Sequence, residues 1–146
     1  MDIKTIDKNM QDSQKGEQAN VKYLNLNNEY LRGVAFHNGF NRLDKDDFVS
    51  ENVKALQKHT SGVNITFTTN SSFIKIKARL DGASYMAHMT AVGQIGFDLY
   101  VKIKNKWIFI STTKINKAEY EVMLLDKLPK ESREYRLYFP LYMGVN

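Results

Sequence analysis

The sequence predicts an all-β protein, a jelly-roll-like antiparallel β-sandwich with at most one short helical turn. Several short segments alternate between apolar and polar residues, which is typical of strands with one buried face and one wet face. Turn residues recur about every eight to twelve positions, which gives about seven to nine strands. No segment of helical periodicity is long enough to connect parallel strands, so we expect antiparallel pairing.

The segment that begins at Phe97 is expected to be a central strand. Its inward positions are large and apolar, and its outward positions are polar or charged. Gly93 and Gly96 precede it and indicate a close approach of the backbone. The inward set is Phe97, Leu99, Val101 and Ile103, and the outward set is Asp98, Tyr100, Lys102 and Lys104.

Two hairpins are predicted beside this strand. Residues 63–68 and 74–80 alternate on either side of the turn residues 70–72 and form the clearest candidate hairpin. Residues 104–106 turn the central strand into a second hairpin with residues 107–110. Ser50 is expected to cap a short helical turn. Further strands are predicted at 23–27, 31–36, 120–124 and 135–139.

The composition predicts one folded domain. Of the 146 residues, 42% are hydrophobic and 25% are charged, as in ordinary globular proteins. Residues 1–20 are polar and cannot offset the entropy cost of ordering, so we expect a flexible polar lead-in. Residues 21–146 are expected to form the β-sandwich domain.

The charge and hydropathy of the sequence argue against two classes of binding partner. The net charge of +5 is mild and spread out, so neither a nucleic acid nor a membrane is predicted as a partner. No signal peptide is visible, so we expect a soluble protein, cytoplasmic or exported after removal of a signal. There is no cysteine, which excludes disulfides and thiolate chemistry.

No catalytic residue, metal site or cofactor is predicted. The sequence contains neither a Gly-x-Ser-x-Gly elbow nor an Asp-x-x-His pair. The histidines of the sequence are His37, His59 and His88, and His88 has no second histidine or carboxylate at metal-binding spacing. We therefore expect that this chain alone is not an enzyme.

Sugar binding is the alternative that the aromatic residues raise. A flat ring can cover the apolar face of a sugar, and Trp107 is the candidate for carbohydrate stacking. The competing interpretation is that such rings pack in the core or along the strands. Other candidate rings are Tyr85, Tyr100, Tyr138 and Tyr142.

Three stretches together resemble a known family. His88-Met89, Gly93 and the segment Gly96-Phe97-Asp98-Leu99-Tyr100 resemble the Gly-x-Asp-Leu-Tyr signature in the N-terminal domain of SGNH-hydrolase-type esterases. Residues 133–142 resemble the closing motif of that domain, and residues 40–43 and 53–62 resemble its earlier blocks. The resemblance covers about residues 23–146, with the motifs in the same order.

The resemblance implies a β-sandwich that precedes a catalytic domain bearing a Gly-Asp-Ser block and an Asp-x-x-His pair. It implies acylated carbohydrates as the substrate class. His88 and Met89 would then lie on a loop facing the catalytic domain, and Asp98 and Tyr100 would be structural or interdomain residues. Arg42 and Tyr142 lie in matched blocks and are further interdomain or ligand-facing candidates.

We therefore expect a non-catalytic accessory domain that docks on an SGNH esterase domain, in cis if the gene continues, and helps to shape its cleft. The alternative is a stand-alone carbohydrate-binding module. The chain departs from the family at Met143, where asparagine is expected, and the family domain continues past Asn146 with another strand. The missing strand predicts an exposed sheet edge, through which a homodimer could form.

Overall fold

The computed structural model describes residues 10–12, 21–26, 28–34, 39–43, 49–115 and 117–146. These residues form eight strands, two short α-helices (α1 and α2) and one 3-10 turn at Asn28–Tyr30. Most of the predicted lead-in lies outside the described residues, as does His37. The strands are β1 (Met10–Asp12), β2 (Leu31–Arg32), β3 (Asn64–Thr69), β4 (Ile74–Arg79), β5 (Asp98–Ile103), β6 (Lys106–Lys114), β7 (Glu119–Leu125) and β8 (Arg133–Tyr138); the helices are α1 (Glu51–Leu56) and α2 (Ala91–Ile95).

The described strands form two sheets, which confirms an all-β sandwich. The larger sheet has the order β1-β6-β5-β8-β3-β2, and the smaller sheet pairs β4 with β7. All pairs are antiparallel except β1 with β6, which run parallel. Buried side chains of both sheets, among them Leu99 of β5 and Val122 of β7, form one core cluster, so the two sheets pack face to face. The hydroxyl of Ser111 on β6 also donates to the carbonyl of Leu124 on β7 at 2.7 Å.

Strand β5 is central, as predicted, because it pairs with β6 on one side and β8 on the other. Phe97, just before it, is 1% exposed and contacts the rings of Phe139 and Tyr120 edge to face. Leu99 and Val101 are also buried, whereas Ile103 at the end of the strand is 50% exposed. The apolar face of β5 therefore forms the middle of the core.

The predicted hairpin between residues 63–68 and 74–80 is wrong. Strand β3 pairs with β8 in the larger sheet, and β4 pairs with β7 in the smaller one. The segment between Thr69 and Ile74 thus crosses from one sheet to the other. Alternation identifies the buried face of each strand, but it does not identify the neighbour, because the edges of both strands present the same backbone groups.

The second predicted hairpin, β5 with β6, is confirmed. Its turn residues Lys104 and Asn105 have φ angles of 46° and 63°. Positive φ at both central positions gives the turn the twist that matches the two strands. The turn therefore follows directly from the local sequence.

The helix count differs from the prediction. Helix α1 begins after Ser50, as expected, and the Ser50 hydroxyl accepts a hydrogen bond from the N–H of Val53 at 3.4 Å. Helix α2 was not expected, and it begins after Thr90. Residues 23–26 have no regular structure, although their alternation predicts a strand. Within the described ranges, neither helix is long and apolar enough to cross a membrane.

Candidate functional site

A surface loop, residues 85–90, is held by the buried side chain of Gln94, which is 1% exposed. Its Oε1 accepts hydrogen bonds from the N–H groups of Tyr85 and Met86, both at 2.9 Å. Its Nε2 donates to the carbonyl oxygens of Met86 at 2.9 Å and Met89 at 2.7 Å. Because a primary amide has two acceptor and two donor positions, these four bonds use its full capacity. The loop therefore has a fixed shape without regular secondary structure.

Helix α2 brings Gln94 to this loop. The hydroxyl of Thr90 caps the helix by accepting a hydrogen bond from the N–H of Gly93 at 3.3 Å. A Cβ atom on Gly93 would lie 3.3 Å from Cγ of Met89, and one on Gly96 would collide with the carbonyl group of Val92. The two glycines thus allow the loop and the exit from α2 to pack closely.

The turn formed by residues 140–143 lies beside the same helix. The N–H of Tyr142 donates to the carbonyl of Gln94 at 3.0 Å. Thr60, which is fully buried, places its hydroxyl 2.8 Å from the carbonyl oxygen of Pro140 and 3.0 Å from that of Met143. We call residues 85–90 together with residues 140–143 the loop end of the domain.

His59 extends the loop end toward α1. Its ring lies 6.5 Å from the ring of Tyr142 in an edge-on arrangement. Burial lowers the pKa of His59, the positive charge of Arg42 lowers it further, and the negative charge of Asp81 opposes both. Arg42 is fixed by a 2.9 Å hydrogen bond from its guanidinium to the carbonyl of Leu56. Arg42, His59 and Tyr142 are thus close together, although they are distant in sequence.

The predicted interdomain candidates divide between two surfaces. His88 is exposed and Met89 is half-buried on the 85–90 loop. Tyr142 lies in the 140–143 turn, and Arg42 lies near His59, whose ring contacts that of Tyr142. Asp98 and Tyr100 instead point away from the core on β5, and both are half-buried. The structure therefore places three of the six candidates at the loop end and two on the larger sheet, and Arg42 is related to the loop end through His59.

The larger sheet carries a band of rings and charges on the side opposite β4 and β7, which we call the outer face. Tyr100 contacts Phe109 and Tyr138 edge to face, with ring centroids 5.6 Å and 5.4 Å apart. Burial raises the pKa of Tyr100, and the charge of Asp98 raises it further. The outer face comprises Thr66, Asp98, Tyr100, Lys102, Trp107, Phe109, Glu134, Arg136 and Tyr138.

Trp107, the candidate for sugar stacking, lies at the edge of this band. The guanidinium carbon of Arg136 is 4.2 Å from the centroid of its ring, and Nζ of Lys102 is 5.7 Å from it. Arg136 therefore covers part of one face of the indole, in the geometry of a cation–π contact. A ligand that stacks on that face must share the ring with Arg136 or displace it.

Two residues that organise the site were missed in the sequence. Gln94 and Thr60 are polar residues that belong to no periodic pattern, and only their burial in the fold reveals their function. The one signal near Gln94 is its place between Val92 and the run of buried residues that starts at Ile95. Within the part of the chain that the structure describes, no group of His, Cys, Asp and Glu side chains could hold a metal ion.

Comparison with known proteins relates this fold to one class of esterase. The family model for the GxDLY domain, the N-terminus of SGNH-hydrolase-type esterases, matches residues 21–146. A crystal structure from Bacteroides ovatus, described as a GDSL-like lipase, aligns with a TM-score of 0.76 and 33% sequence identity. The alignment covers 83% of this chain and 38% of that protein. No curated protein matches the sequence.

The matched region contains the resemblance found in the sequence, including the glycines before β5 and the Asp98-Leu99-Tyr100 segment. It also contains the loop end and the outer face. This chain belongs to the GxDLY family, the domain at the N-terminus of SGNH-hydrolase-type esterases.

Proposed function

We propose that the chain is a non-catalytic accessory domain that docks on the catalytic domain of an SGNH esterase acting on acylated carbohydrates. Family membership supports the accessory role. The docking surface is the loop end, and the catalytic Gly-Asp-Ser and Asp-x-x-His residues belong to the partner domain. His88, Met89, Arg42 and Tyr142 contact that domain and help to shape its cleft.

The observation that carries this proposal is the rigid, exposed loop built on Gln94. Tyr85 is 61% exposed, although its own N–H is bonded to Gln94. Leu141 is 47% exposed, although its neighbour Tyr142 is bonded to Gln94. Large exposed side chains on a fixed backbone lose little entropy when they bind a partner. The loop end thus has the properties of a preorganised docking surface.

A gene-level observation tests docking in cis. The proposal predicts that the reading frame continues beyond Asn146 and encodes a Gly-Asp-Ser block and a later Asp-x-x-His pair. A stop codon directly after Asn146 would contradict docking in cis. The chain of residues 1–146 alone should not hydrolyse p-nitrophenyl acetate above a heat-treated control, and hydrolysis would contradict the non-catalytic role.

Kinetics of the full-length protein test the effect on the cleft. Tyr85→Ser should raise KM for an acetylated xylo-oligosaccharide about fivefold and leave p-nitrophenyl acetate hydrolysis unchanged, because only the larger substrate extends to the domain boundary. Tyr30→Ser is the matched control, since Tyr30 is similarly exposed at 54% and lies outside the loop end. Equal effects of the two variants would contradict the proposal.

A second candidate is a carbohydrate-binding module on the outer face. The observation in its favour is the cluster of Tyr100, Phe109 and Tyr138 beside Trp107. Titration with oligosaccharides, followed by tryptophan fluorescence, tests it. A saturable response that Trp107→Ala abolishes, in a protein that remains folded, would favour this function.

Self-association through an exposed sheet edge, which the sequence predicts, is a further proposal. Strand β4 pairs with β7 on one side, and near its end Leu80 bridges to Val145. A second copy could pair with the remainder of that edge. Sedimentation at increasing protein concentration should then show a monomer–dimer equilibrium, and a monomer at all concentrations would contradict it.

A further inference from the structure

Arg136 lies in the middle of the outer face and is oriented by three neighbours. Its Nε is 3.3 Å from the Thr66 hydroxyl, its NH1 is 3.5 Å from the Tyr138 hydroxyl, and its guanidinium stacks over Trp107. It is half-buried on a strand that has sheet neighbours on both sides. The guanidinium is therefore held in one orientation before any ligand arrives.

The charge of Arg136 has no carboxylate partner among the residues that the structure describes. Glu134, the next outward residue on β8, is engaged by Lys102 at 2.7 Å. Half-buried charges are usually paired, because removing them from water costs free energy. An oriented guanidinium without a partner is suited to an incoming carboxylate, which it can bind with two parallel hydrogen bonds.

The surroundings of Arg136 match a sugar. Phe109 is 40% exposed, and it contacts Tyr100, which in turn contacts Tyr138; both tyrosines are half-buried. Rings of this kind cover apolar C–H groups, and the tyrosine hydroxyls and the Asp98 carboxylate can bond to sugar hydroxyls. The rings form a narrow band rather than the broad apolar patch of a stable protein interface, which favours a sugar over a protein carboxylate.

We propose that the outer face binds an acidic sugar, with its carboxylate on Arg136 and its ring against Phe109 and Tyr100. This inference rests on the second candidate function above and names its ligand class. It is independent of docking at the loop end, which involves different residues.

The test is a titration of the chain of residues 1–146 with trigalacturonic acid. Trp107 is the single tryptophan of the sequence, so a carboxylate that binds the guanidinium stacked on the indole changes its fluorescence directly. Arg136→Gln should weaken binding at least about tenfold, since it removes a charge-assisted bidentate pair. Arg136→Lys keeps the charge but loses the pair of parallel N–H donors, and it should give an intermediate affinity.

Arg79→Gln is the matched control, because Arg79 lies on the smaller sheet in an exposed ion pair with Glu119. It should leave the affinity unchanged. The proposal is overturned if trigalacturonic acid gives no saturable response, if sodium acetate binds equally well, or if Arg79→Gln weakens binding as much as Arg136→Gln. If neutral maltotriose binds equally well and Arg136→Gln does not weaken its binding, the acidic-sugar proposal is overturned, but the carbohydrate-binding module remains supported. Binding of a glutamate-rich peptide instead of the sugar would also overturn it.

Discussion

The side-chain nitrogen of Gln94 lies 2.7 Å from the carbonyl oxygen of Met89, five residues earlier in the chain. The same side chain bonds to Tyr85 and to both backbone groups of Met86. One buried amide therefore replaces the backbone partners that a strand or helix would supply. The shape of the proposed docking loop depends on this side chain.

Gln94→Leu should lower the free energy of unfolding by about 3 kcal/mol, because it leaves four backbone groups without partners in a partly buried site. Urea denaturation measures this change, and hydrogen exchange should accelerate in residues 85–89. Gln57→Leu is the matched control, since Oε1 of Gln57 is buried with no partner among the described residues. A change at Gln94 no larger than at Gln57 would show that the amide does not hold the loop.

Gly33→Ala should destabilise the domain by about 2 kcal/mol or more. Gly33 has a φ of 82°, and a Cβ there would collide with the carbonyl group of Gly62. Gly39→Ala is the control, because Gly39 has a φ of 62° but a Cβ there would meet no described atom within 4 Å. Thermal unfolding of both variants separates the two effects, because Gly39→Ala introduces backbone strain alone and Gly33→Ala introduces strain together with a collision. Equal losses would mean that the close approach to Gly62 is unimportant.

Thr60→Val should cost about 1 to 2 kcal/mol, because it keeps the side-chain shape and removes the hydroxyl that serves Pro140 and Met143. The loss should also loosen the 140–143 turn, which hydrogen exchange detects. Thr68→Val, at an exposed position of β3, is the control and should change stability by less than about 0.5 kcal/mol. Identical stabilities of the two variants would contradict the anchoring role.

Glu121 should give the fold an acid-sensitive contribution. Hydrogen bonds from Tyr23 and Lys75 lower the pKa of Glu121 below its usual value, despite an opposing effect of burial. A folded-state pKa below the unfolded one stabilises the protein above the unfolded pKa, and the stabilisation disappears as pH falls through the folded pKa. The stability gap between the native protein and Glu121→Gln should therefore be full at neutral pH and should close as the pH falls below the usual pKa of a glutamate carboxyl and through the lower folded pKa.

Urea denaturation over a range from neutral to acidic pH measures the gap. Glu119→Gln is the control, because Glu119 and its partner Arg79 are both well exposed and such pairs contribute less than about 1 kcal/mol. If the gap for Glu121→Gln is the same at both ends of the range, the hydrogen bonds from Tyr23 and Lys75 do not stabilise the ionised carboxylate.

The sequence predicted the parts of this fold that depend on local patterns. The alternation at 97–103 defined β5 and its buried face, and Lys104-Asn105 supplied the turn to β6. The pairing of β3 with β8 and of β4 with β7 could not be predicted in this way. Partner choice depends on contacts between distant residues, which alternation within one strand does not record.

The candidate site was predicted in part for the same reason. The resemblance to a family predicts His88, Met89, Arg42 and Tyr142 as candidates. Three of them lie at the loop end, and Arg42 lies near His59, whose ring contacts that of Tyr142. Helix α2 was missed because its five residues include Gly93 and carry too little helical pattern to be recognised. Its stability comes from the Thr90 cap and from Gln94, whose partners are visible only in the folded chain.

Hydroxyl-radical footprinting of the full-length gene product, compared with residues 1–146 alone, tests the docking of the loop end most directly. Tyr85 and Tyr30 are similarly exposed in this domain, at 61% and 54%. The account predicts that oxidation of Tyr85 falls at least about fivefold in the full-length protein, as expected for a side chain at the core of an interface, while oxidation of Tyr30 is unchanged. Equal oxidation of Tyr85 in both proteins would contradict it.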